Sequence, residues 1–181
     1  MTLSIRPSKQ SDFMVFLQCY EDWPVDEFGR YTVDRAIKES RAAAYLNERV
    51  TEPLTTDSNW TQTLIILNDG VPIGLNRAKA TGTSIEVLNQ AFVPEARGQG
   101  LFAEMQTLLQ DYAFNTLQAT EATYSIFKRS VAAVAHVENR AKYRSEDEET
   151  SPKTGEVLKR GRIERSAWEE AARPVPGDAP G

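Results

Sequence analysis

Hydrophobic and polar positions alternate from Leu3 to Arg6 and stop at Pro7, which predicts a short opening strand. The period then changes. Phe13, Phe16, Leu17 and Tyr20 keep helical spacing behind Ser11 and Asp12, residues that can cap a first turn. Trp23-Pro24 to Gly29-Arg30 reads as a loop, and Thr32 or Asp34 opens a second helix through Ala36, Ile37, Ala43, Ala44, Tyr45 and Leu46, stopped by Pro53. Trp60 to Leu67 is rich in β-branched and aromatic residues, Asn68-Asp69-Gly70 signals a hairpin, and Val71 to Ala80 is the returning strand. Thr83 to Val93 forms a third strand, with Ile85 and Val87 on one face and Glu86, Leu88, Gln90 and Phe92 on the other. Pro94 ends it. A helix follows from about Gly100 to Phe114, with Leu101, Met105, Leu108, Leu109 and Tyr112 as its apolar stripe. Ala122 to Phe127 reads as a strand, Ser130 to Tyr143 as a helix and Val157 to Ile163 as a closing strand. The acidic run Glu146 to Glu149 and the Ser151-Pro152 turn read as an exposed loop.

The predicted order is β-α-α-β-β-β-α-β-α-β, a mixed α/β fold in which a hairpin-built sheet receives crossover helices late in the chain. Its 181 residues suit one domain, expected over residues 1–170. Residues 171–181, rich in proline and glycine, are expected to form a disordered tail. A formal charge of −5 argues against a nucleic-acid-binding body. No apolar run is long enough for a bilayer span, and the N-terminus lacks the apolar core of a signal peptide, so no membrane association and a cytoplasmic location are expected. One cysteine, Cys19, forms no internal disulfide, and with His136 as the single histidine no metal site is expected. The chemistry must then come from carboxylates, hydroxyls, backbone groups or a borrowed cofactor.

One segment carries such chemistry. From Ile85 to Val93 a strand runs into Pro94-Glu-Ala-Arg-Gly-Gln-Gly100 and straight into the helix that begins Leu101-Phe102. A glycine turn at a helix start exposes successive backbone N–H groups at the positive end of the helix dipole, a ready pyrophosphate site. Gly98 and Gly100 let the backbone approach an anion closely. The spacing Gly98-Gln-Gly100-Leu-Phe-Ala103 also matches a dinucleotide fingerprint, but four residues separate strand from glycine and the next strand ends in Phe127-Lys128 where an acidic ribose ligand belongs. Arg97-Gly-Gln-Gly100, following Val93-Pro94-Glu95, resembles the acyl-CoA-binding turn of the GNAT superfamily of N-acyltransferases, with Phe102 in place of that pattern's final small residue.

The resemblance implies a central, mostly antiparallel sheet with a splayed strand pair and flanking helices. It implies acetyl-CoA as cosubstrate, held by Ala91, Phe92, Val93, Arg97, Gly98, Gln99, Gly100, Leu101 and Phe102. It further implies direct acyl transfer to an amine, small molecule or protein, and leaves a homodimer open. Amine acylation needs a base, and several family members carry a glutamate at about the separation between Glu86 and Arg97. A mid-strand carboxylate between Ile85 and Val87 is uncommon unless used, which makes Glu86 the candidate base. The family's helical tyrosine acid has no counterpart in pattern; its slot falls on His136 or Val137, and His136 is the candidate acid. Trp23, Tyr31 and Trp60 are candidates to line the acceptor side. The alternative reading is a catalytically silent module of this fold that binds CoA or a protein partner.

Overall fold

The computed structural model describes residues 2–21, 46, 52–128, 134–135, 144–150 and 155–172. Among these residues seven strands make one sheet in the order β1-β2-β3-β4-β5-β7-β6. They are β1 Leu3–Pro7, β2 Asn59–Asn68, β3 Val71–Thr81, β4 Ser84–Phe92, β5 Glu121–Phe127, β6 Arg144–Thr150 and β7 Val157–Glu164. The hairpin between β2 and β3 closes on Asp69 and Gly70, both at positive φ (48° and 82°), as a two-residue turn between twisted strands demands. Every pairing is antiparallel except that of β4 with β5, which the crossover helix makes parallel.

Strand β2 is buried on both faces, so its hydrophobic run divides between two cores. Leu64 and Ile66 join Ala78, Ala80, Ile85 and Val87 on one face, packed by Met105 and Leu109 of helix α2, Phe102–Asp111. Ile65 joins Leu75 and Ala91 on the other, packed by Phe16 and Cys19 of helix α1, Phe13–Glu21. A third helix, α3 Arg165–Ala172, follows β7 and lays Trp168 against Phe114 with ring centroids 5.2 Å apart.

The structure corrects several expectations. The acidic run is not a loop: it lies in β6, at the sheet's edge, where Glu148 meets Lys128 at 3.0 Å and Glu149 meets Arg160 at 2.8 Å. Charged residues at an edge keep other strands from adding to it. Asp12 does not cap α1 forwards. It ends a 3₁₀ turn, and its carboxylate accepts from the Lys9 N–H at 2.7 Å and from both terminal nitrogens of Arg6 at 2.8 and 2.7 Å. Gln90 and Phe92 do not share a face with Glu86. Asn76 pairs with Gln90 and Ala78 with Val87, so two steps along β3 face three along β4. The extra residue is a bulge near Leu88, and beyond it every side chain of β4 changes face. The second helix (except Leu46), the Trp23 loop and the tail beyond residue 172 lie outside the described residues, as does most of the Ser130–Tyr143 helix, of which Val134 and Ala135 are helical.

Candidate active site

Strands β4 and β5 pair only from Ser84–Glu121 to Val87–Tyr124, although β4 continues to Phe92 and β5 to Phe127. Above that point they part, and the bulge in β4 sits at the place of parting. The expected splayed pair is therefore present. The ladder shows which backbone groups line the gap. Val93 N–H donates to Ile73 O at 2.9 Å, so Val93 and, two residues back, Ala91 turn their N–H and C=O towards β3. By alternation Gln90 and Phe92 turn theirs into the gap. Of the three residues Ala91, Phe92 and Val93, only Phe92 offers backbone groups there, and sequence reasoning missed Gln90.

At the mouth of the gap stands the turn. Ala96 and Arg97 donate their N–H groups back to Val93 and Pro94 at 3.0 and 3.2 Å. Gln99 donates its side-chain amide to Glu95 O at 2.7 Å, which holds the loop together. Gly98 and Gly100 both adopt φ 73°, a left-handed conformation that glycine takes without strain. A Cβ built on either would meet no protein atom within 4 Å, so the space before them is open. Leu101, at the cap of α2, supplies no side-chain acceptor, and the first-turn N–H groups of a helix have none within it. These observations fit a bound pyrophosphate. Phe102 is partly buried, packed against the core beneath α2. Arg97 works as a strut. Its Nε donates to Phe92 O at 3.0 Å and one terminal nitrogen to Cys19 O at 3.3 Å, tying α1 to the end of β4.

Glu86 lies one residue from Val87, where the gap closes. It is half-buried, on the sheet face that carries α1, with Lys79 and Thr123 as its lateral neighbours. Among the described residues its side chain makes no hydrogen bond or ion pair. Trp60 is on the opposite face, packed against the core beneath α2, and so is no neighbour of Glu86. His136, Trp23 and Tyr31 lie outside the described residues. Cys19 is fully buried, its Sγ 3.6 Å from Ala91 O, and burial pushes its thiol up to about 12. It is therefore protonated at neutral pH and no nucleophile. A surface cavity of about 490 Å³ beside Glu52, Asp57 and Trp60 lies by the start of β2, at the sheet end remote from the turn. No group of three or more His, Cys, Asp or Glu arranged to hold a metal occurs among the described residues, and none of their helices is long and apolar enough to cross a membrane.

A mixed sheet with one parallel pair, a bulge that splays it and a glycine turn leading into the crossover helix define the GNAT fold, the fold of a large class of N-acetyltransferases. Solved structures of that class superpose on nearly the whole chain. The aminoglycoside acetyltransferase AAC(6')-Ib in complex with paromomycin and acetyl-CoA matches with a TM-score of 0.71 at 16% identity, covering 97% of this chain and 100% of that one. A chimera built from the Vibrio cholerae spermidine N-acetyltransferase SpeG matches at 0.69 and 15% identity, covering 96% and 100%. A dodecameric structure of the Vibrio cholerae enzyme matches at 0.62 and 15%, covering 94% and 98%. No family model and no curated protein matches. At such identities the likeness establishes the fold.

Proposed function

We propose that the protein is an acyl-CoA-dependent N-acyltransferase, which moves an acetyl or other short acyl group to an amine by direct attack in a ternary complex. The observation that carries this reading is the gap between β4 and β5, with an open helix start at its mouth and, at its vertex, the Glu86 carboxylate, which has no partner among the described residues. Bound acetyl-CoA supplies an activated thioester. The turn from Gly98 to Phe102 holds its pyrophosphate through backbone N–H groups, while Arg97 keeps the turn docked on α1 and β4. Gln90 offers the gap its N–H and C=O and Phe92 its N–H, the Phe92 carbonyl already accepting from Arg97, and an extended amide arm can use these groups as a neighbouring strand would. The same N–H groups are placed to polarise the acyl carbonyl as negative charge develops on its oxygen. Glu86 takes the proton from the attacking nitrogen. With Cys19 buried and protonated, no acyl-enzyme forms there, which supports direct attack.

The test pairs calorimetry with a released-thiol assay on an amine panel. Acetyl-CoA should bind the parent and Glu86→Gln alike, since its holding groups are backbone ones. Turnover by the variant should fall about 10²–10⁴-fold, the usual worth of a general base, and recover partly at alkaline pH where the amine deprotonates in solution. Absence of acetyl-CoA binding overturns the proposal. Binding without transfer to any amine favours the silent module, and parental turnover by Glu86→Gln moves the base elsewhere.

A further inference from the structure

Two aromatic side chains stand at the walls of the gap, and both are turned away from it. On β5 it is Tyr124, which pairs with Val87 where β4 and β5 part. It is 3% exposed and belongs to the core beneath α2. The other neighbour of β5 is β7, and there Tyr124 faces Gly161. A Cβ built on Gly161 would stand within 2.6 Å of Cε1, Cζ and Oη of that ring. The far end of Tyr124 lies where a side chain of β7 would be, on the side of β5 remote from the gap. On β4 it is Phe92, whose partner on β3 is Gly74. A Cβ on Gly74 would stand 2.8 Å from Phe92 Cδ1 and 2.7 Å from Ala91 O. The Phe92 ring leans over β3, again away from the gap.

Neither glycine has a positive φ, so what each supplies is the space of a missing side chain. Glycine inside a strand weakens it and marks a place where another group must come close. The two positions differ in what a Cβ would meet. At Gly74 the nearest atom is backbone, so a larger residue would push β3 from β4. At Gly161 the three nearest atoms all belong to the Tyr124 ring, the free end of a side chain that can change rotamer. Met105 and Leu109 of α2 cover the same core from above. With the space over β7 filled, the ring's way out is on the side that β4 has left, into the gap.

We infer that Gly161 sets the acyl specificity: by taking the Tyr124 ring onto β7, it keeps the closed end of the gap clear for a short acyl chain longer than acetyl. The inference rests on the N-acyltransferase reading and deepens it. The arm of an acyl-CoA enters from the turn, so beyond a carbonyl held by the Gln90 or Phe92 N–H the acyl chain runs on towards the closed end. There it meets Val87 and Tyr124, on the apolar face beneath α2. Glu86 is on the opposite face, so the amine and the acyl chain approach the reacting carbon from different sides of the sheet. Whatever fixes the Tyr124 ring then fixes the length of chain that fits. Gly74 holds the Phe92 ring clear of the mouth in the same way.

Calorimetry with CoA, acetyl-CoA, propionyl-CoA and butyryl-CoA tests it, with no acceptor needed. CoA is the internal reference, because it brings the arm and the pyrophosphate but no acyl chain. The parent should bind butyryl-CoA at least as tightly as acetyl-CoA. Gly161→Ala should keep the parental CoA affinity, while its deficit against the parent grows by about fourfold with each methylene beyond acetyl, the worth of one buried CH₂. A merely structural role would weaken all four ligands alike. Gly161→Ala with Tyr124→Leu, which puts a methyl where the ring lay and leaves no ring to displace, should restore the parental series. That double variant decides the matter if Gly161→Ala alone does not fold. A parental series in Gly161→Ala, equal losses for CoA and butyryl-CoA, an altered series in the double variant, or weaker binding of butyryl-CoA than acetyl-CoA by the parent overturns the inference and leaves the N-acyltransferase reading standing. No binding of CoA or any acyl-CoA by the parent overturns both.

Discussion

Asp12 is 3% exposed, and its charge is held by one neighbour's guanidinium and one backbone N–H. Burial works to raise its pKa, but the bonds from Arg6 and Lys9 outweigh burial, so the carboxyl sits below its ordinary value. The stabilisation is therefore complete above about pH 5, where an unfolded aspartate of pKa about 3.9 is almost wholly ionised, and is lost as pH falls through the lower folded value. Asp12→Asn should cost about 1.5–3 kcal/mol at pH 7, as expected for hydrogen bonds to a charged group. In urea denaturation series the gap between parent and variant should narrow below about pH 4. A gap of constant size down to pH 2 would show that Asp12 acts by shape and not by charge. The pair matters beyond its own energy, because Arg6 is on β1 and Asp12 leads into α1, the helix that Arg97 then ties to the end of β4.

At the scale of elements, the turn is where conformation and the proposed ligand demand the same residue. Gly100→Val places a branched Cβ at φ 73°, which L residues avoid at a cost of about 1–2 kcal/mol. No protein atom stands in its way, so the helix and sheet should persist, with unchanged far-ultraviolet circular dichroism. Acetyl-CoA affinity by calorimetry should fall about tenfold or more, since the branch fills the space before the turn's N–H groups. Parental affinity would mean that the anion lies elsewhere. This turn was legible in the sequence because everything it needs is local: a strand, two glycines and an apolar helical stripe. The bulge was not. Leu88-Asn-Gln90 looks like regular alternation, and only pairing with β3 shows one residue too many, so Gln90 and Phe92 were set on the wrong face and the gap-facing backbone of Gln90 went unnoticed. Strand β6 was hidden for a different reason. Composition reads four acids as solvent-facing loop, and an edge strand is where a sheet tolerates them.

The whole molecule couples these parts, and ligand binding should register globally. At about 100 times its Kd, acetyl-CoA should stabilise the fold by about 2.7 kcal/mol, worth about 5–10 °C in Tm for a chain of this length. NAD should not, and equal shifts with both would restore the dinucleotide reading. The row of side chains that holds Glu86 exists only at this scale, since Lys79 and Arg162 are far apart in sequence and meet through four strands of register. Pattern along the chain could not bring them together. The extra residue in β4 also bears on how such a protein can change over generations. Loss of a single codon there would restore strict alternation, turn the Ala91 side chain from α1 towards α2, and carry Phe92 the opposite way. Both cores would lose their fit in the same event that removed the kink. Selection for a foldable chain alone is then enough to keep the gap between β4 and β5, even through a period in which nothing is gained from what it binds.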